Sequence, residues 1–67
     1  MDPEILSIDE ELKQIEESLD RIDDKFLNNE VSEDKHEKMT VRLEQKQLRM
    51  KKEKKDLLKR LKLEFID

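Results

Sequence analysis

Seven apolar residues, Ile5, Ile8, Leu12, Ile15, Leu19, Ile22 and Phe26, recur at alternating spacings of three and four. That period places them on one stripe of an α-helix and does not fit a strand, whose faces alternate every second residue. The rhythm then fails. Extending it puts Asn29, Glu33, His36 and Thr40 at four successive core positions before Leu43, Met50 and Leu57 restore the phase. One polar core residue can fix the register of a coiled coil, whereas four in a row open its seam. A continuous rod pairing in parallel is disfavoured further by its flanks, where Glu4 would face Asp9 and Glu11 would face Glu16.

Local signals place a reversal at the same point. Asp2-Pro3-Glu4 offers a capping side chain, a proline suited to the first helical position and an acid at the positive end of the helix dipole. Ser7 and Glu10, at capping-box spacing, mark a second potential start. Asn28 and Asn29 tolerate the left-handed geometry of a helix end, and Ser32 before Glu33 and Asp34 reads as a new N-cap. The prediction is one all-α domain, an antiparallel two-helix hairpin of coiled-coil type. Its helices span about 3–28 and 33–65, joined by a turn at about 28–32.

Folding back brings Phe26 near His36, Ile22 near Met39, Leu19 near Leu43, Leu12 near Met50 and Ile5 near Leu57. These residues, with Ile8 and Ile15, form the expected seam. Ile15 and Ile8 instead meet the levels of Lys46/Gln47 and Glu53/Lys54. In this register Asp9–Lys51 and Glu4–Arg60 attract, whereas Glu16–Glu44 and Asp23–Glu37 repel. Residues 1–30 hold eleven acidic and three basic side chains, and residues 31–67 hold twelve basic and eight acidic ones. The halves therefore attract in bulk, but exposed pairs contribute only about 0–1 kcal/mol each, so the apolar ladder decides the fold.

Composition narrows the function. Charged residues make up 51% of the 67-residue chain and hydrophobic ones 33%, a mix that favours disorder unless the apolar residues are concentrated by periodicity, as here. There is no glycine for a phosphate-cradling loop and no cysteine for a disulfide or thiolate site. No apolar run approaches the roughly 18 residues of a membrane span, and the acidic N-terminus lacks a signal-peptide pattern, so a cytoplasmic location is expected. No carboxylate pair is placed in a pocket for acid–base work, and no catalytic or cofactor-binding residue is predicted. Glu33-x-x-His36 has the spacing of a carboxylate–histidine metal pair. It needs further inward carboxylates that this chain does not supply, so no metal site is predicted.

Two surface features remain. Val41, Leu48, Leu58, Leu61, Phe65 and Ile66 are apolar residues left over once the hairpin is closed, and they are candidates for contact with another chain. Lys52, Lys55, Lys59 and Lys62 form a cationic stripe on the second helix. It suits a solvated face, and a phosphate backbone or an anionic membrane less well, because interleaved aromatics are lacking and the chain is acidic overall. A hairpin of this size is marginal alone. The expected partner is a second copy, with a dimer favoured and a helical bundle as the product, or another protein. Nucleic acid is the alternative partner and a membrane the least favoured.

The stretch from Leu19 to Leu43, and especially Phe26-Leu27-Asn28-Asn29-Glu30-Val31-Ser32-Glu33-Asp34-Lys35-His36, resembles the short helical-hairpin motif SHOCT. It is similar also to hairpins of archaeal coiled-coil proteins. In that pattern a helix ends in a Gly-Glu-Ile-Ser/Thr-type turn followed by acids and an aromatic. Asn29, Val31 and His36 stand here for the glycine, isoleucine and aromatic. The resemblance covers about a third of the chain and implies an oligomerisation or protein-interaction module with no catalytic residues.

Overall fold

The computed structural model describes residues 2–65, with side chains as far as Lys62. Two helices, α1 (Pro3–Leu27) and α2 (Glu33–Phe65), fold back on each other as an all-α hairpin. The molecule measures 56 × 18 × 11 Å. At 33 residues against 25, α2 outruns α1 by about two turns, or roughly 12 Å at ~1.5 Å per residue.

The ends of the helices are fixed by side chains and by one unusual backbone angle. Asp2 accepts from the Glu4 amide at 2.8 Å and, more weakly, from Ile5 at 3.4 Å, with Pro3 in the first turn. At the other end of α1 the chain passes through Asn28 to Asn29, whose φ is 59°. The Asn29 amide donates to the Phe26 carbonyl at 3.0 Å and the Glu30 amide to Lys25 at 2.8 Å. Together these two bonds make a Schellman stop, with asparagine in the left-handed position that glycine usually fills. Ser32 then opens α2, its Oγ accepting from the Lys35 amide at 3.2 Å.

The inner face of α1 follows the isoleucine ladder. Ile5, Ile8, Ile15 and Ile22 are buried, and Leu12, Leu19 and Phe26 are half-buried. Opposite them, α2 turns inward a line at the same three–four spacing: His36, Thr40, Leu43, Gln47, Met50, Lys54, Leu57 and Leu61, all half-buried. His36, Thr40, Gln47 and Lys54, four of the six members up to Lys54, are polar.

Three expectations change accordingly. Met39 was placed in the seam, but it lies at its edge, 37% exposed, while Thr40 takes the inward position about 100° further round the helix. Leu61, assigned to intermolecular contact, is the next inward residue of α2 and is half covered. Asp9 pairs not with Lys51 but with Lys54, at 2.6 Å. Lys54 rises from the level of Ile8, lays its aliphatic stem along the seam and brings its ammonium out at the flank. The repulsion expected between Asp23 and Glu37 is offset by His36, whose Nε2 donates to Asp23 Oδ1 at 2.8 Å. The His36 ring stacks on Phe26 with centroids 4.5 Å apart, and that contact sets the level at which the two helices meet.

Candidate interaction surfaces

A two-helix layer has two broad faces, one on each side of the seam, and they differ. On the first face three depressions follow one another along the molecule. The one nearest the turn, about 350 Å³, is floored by Ile22, Met39 and Leu43 and rimmed by Arg21, Lys25, Lys35 and Arg42, with no carboxylate. The middle one, about 170 Å³, shares Ser18 and Leu43 with it and adds Ile15, Gln14, Glu11 and Lys46. The last, about 420 Å³, lies toward the open end and shares Glu11 with the middle one. Its floor is Ile8, Met50 and Leu57, its rim Glu4, Glu11 and Glu53, and no cation lines it. The first face is thus a continuous groove with an apolar bottom, cationic at the turn and anionic at the open end.

The second face carries a hydrogen-bonded pair and an ion pair of the structure's own. Asp23–His36 and Asp9–Lys54 both lie on that flank, and among the described residues no ion pair involves a charge rimming the groove. A shallower depression there is lined by Phe26, Thr40, Val41, Glu33 and Glu37. Thr40 Oγ1 is buried with no hydrogen-bond partner.

Of the predicted contact residues, Val41, Leu48 and Leu58 are exposed, Leu48 at 68%. Leu48 follows Val41 by seven residues, so the two share one side of α2, on the flank away from the groove. The side chain of Phe65, and Ile66 altogether, lie outside the described residues. Sequence reasoning overlooked two further exposed leucines, Leu6 and Leu27, on the outer side of α1. Their seven-multiple spacing (6 to 27) was the available signal. It overlooked the groove too, since only the register of the two helices brings Glu4 and Glu11 to Glu53, and Arg21 and Lys25 to Lys35 and Arg42.

Lys52, Lys55, Lys59 and Lys62 are all exposed on the outer side of α2, and none takes part in an ion pair among the described residues. Glu33 and His36 belong to no cluster of metal-binding side chains among the described residues. No described helix is long and apolar enough to cross a membrane. No family model, curated protein or solved structure matches the chain.

Proposed function

We propose that this chain is a non-enzymatic oligomerisation and protein-interaction module that works through the apolar faces of its helices, with a homodimer as its favoured state. The observation that carries this reading is the surface left uncovered. The single hairpin exposes 5877 Å², against about 4,500 Å² for a folded monomer of 8.2 kDa on the usual size scaling. Only four described side chains are buried, all isoleucines of α1. Ordering some 60 residues costs on the order of 1–2 kcal/mol each for the backbone alone, which so thin a core offsets poorly. Exposed Leu6, Leu27, Val41, Leu48 and Leu58, with the half-covered apolar residues of the seam, give the faces apolar surface of the kind that meets another protein. The resemblance of the turn to helical-hairpin interaction motifs points the same way.

Sedimentation equilibrium tests the reading. A mass near twice 8.2 kDa is expected at micromolar concentration, with helicity falling on dilution in step with mass. A monomer at high concentration that keeps full helicity would remove the reason for self-association. Leu48→Glu with Leu58→Glu probes the outer apolar flank as a contact for another protein, and because both residues are exposed, loss of binding there would not be confused with loss of fold.

A second reading rests on the unpaired lysine stripe, namely an accessory protein for nucleic acid. It requires binding that weakens steeply with salt and vanishes when Lys52, Lys55, Lys59 and Lys62 become glutamine. No binding at low salt would eliminate it.

A further inference from the structure

We infer that the grooved face is where a second copy of the chain docks, antiparallel and related by a twofold axis, so that the cationic turn end of each hairpin covers the anionic open end of the other. This rests on the self-association reading and specifies its geometry. A twofold interface must be self-complementary, with residue i meeting j and j meeting i. A face that is positive at one end and negative at the other meets that condition when it is turned end for end on itself.

The levels along the hairpin can be matched. The stack of Phe26 on His36 and the Asp9–Lys54 pair put a residue of α1 opposite the α2 residue whose number, added to its own, gives about 62. The groove runs from the level of Glu4 to that of Lys25, so its centre lies near Ile15, in the middle depression. Reversal about that centre lays α1 on the partner copy's α1 and α2 on its α2. Lys25 then comes level with Glu4 and Arg42 with Glu53, while Arg21 falls two to three residues from Glu11, or about 3–5 Å along the axis, within reach of its long side chain; each pair is made twice. Parallel stacking of the same faces would set cation on cation and acid on acid.

Two further observations favour this face. Among the described residues none of its rim charges has an ionic partner, whereas Asp9 and Asp23 on the other flank are held by Lys54 and His36. Its size is also adequate. About 25 residues at ~1.5 Å by 18 Å offers on the order of 700 Å² per copy, close to the ~800 Å² per partner of a standard interface. Val41, Leu48 and Leu58 stay uncovered for other partners.

The test is a charge swap. One variant carries Glu11→Lys and Glu53→Lys, which leaves Glu4 as the remaining acid of the groove rim; the other carries Arg21→Glu and Arg42→Glu, which puts two acids among the cations of the turn end. All four positions are exposed and lie inside helices, and circular dichroism checks that both variants still fold on themselves. Four attractive contacts per dimer become repulsive, so each variant alone should dimerise about a hundredfold more weakly than the wild type. An equimolar mixture should recover a heterodimer, read by native mass spectrometry. Variants that stay dimeric while the wild type is a dimer would overturn the docking geometry and leave self-association standing, as would two monomeric variants that fail to combine. A monomeric wild type would overturn both.

Discussion

Replacing Thr40 with valine should stabilise the protein, by an amount the structure fixes within limits. Thr40 sits on the inner line of α2, half-buried, with its Oγ1 out of contact with water and without a partner. A buried hydroxyl with no hydrogen bond costs about 1–3 kcal/mol. Valine has nearly the same shape and nearly the same helix propensity, so the backbone contributes little to the difference. Because the residue is only half covered, the lower end applies, and a gain of about 1 kcal/mol is expected. For a domain of this size that raises Tm by about 4–8 °C. Thermal and urea unfolding should be followed by circular dichroism at one fixed protein concentration, because association adds to apparent stability. Thr40→Ser keeps the hydroxyl and loses the methyl, so stability should rank valine above threonine above serine. A loss of about 1 kcal/mol in Thr40→Val would mean that the hydroxyl is bonded in solution, and the reasoning would fail.

Three more outcomes follow from the same contacts. Ile15→Ala, at the most buried position (4% exposed), should cost about 2–5 kcal/mol in urea unfolding, while Leu48→Ala at a 68% exposed position stays within about 0.5; the reverse order would refute the seam. Asn29→Gly should add about 0.5–1 kcal/mol, since glycine has no Cβ to oppose a φ of 59°, whereas Asn29→Val should cost about 1–2 kcal/mol; equal stabilities would refute a left-handed stop. Asp9→Asn should cost under about 1 kcal/mol and lose its effect at high salt, because the Asp9–Lys54 pair is half exposed on both sides; a larger, salt-insensitive loss in unfolding experiments would contradict that.

The hairpin was legible because α1 states its inner face without ambiguity. Each inward position is aliphatic or aromatic, and the polar run that follows can only be a reversal. The second helix was harder to read because its inner line mixes Thr40, Gln47 and Lys54 with Leu43, Met50 and Leu57. A search for apolar residues prefers Met39 to Thr40, yet geometry assigns the inward position by angle, and a β-branched side chain packs there well enough. Lys54 was hidden for a related reason. Its stem behaves as a hydrophobe while its charge reaches the flank, and a one-letter pattern shows only the charge. The charge polarity of the groove is a property of register, so neither helix displays it alone.

That register is set less by the seam than by the turn. Slide α2 by seven residues and the seam remains respectable, since Ile8 would meet Leu61, Leu12 would meet Leu57, Leu19 would meet Met50 and Phe26 would meet Leu43. Counting apolar pairs does not reject this alternative. What rejects it is the connection, because the slip lengthens the loop by seven residues and unwinds the first two turns of α2. The Ser32 cap, worth about 0.5–2 kcal/mol, would be lost, together with the stack of Phe26 on His36 and the His36–Asp23 bond. Lys54 would move away from Asp9 to the level of Ile15. A left-handed Asn29 followed within three residues by a capping serine admits only a tight reversal, and the tight reversal selects one of two similar seams. The groove inherits its order of charges from that choice. In the slipped form Glu53 would rise to the level of Glu16, far from Glu4, and the face would no longer be self-complementary.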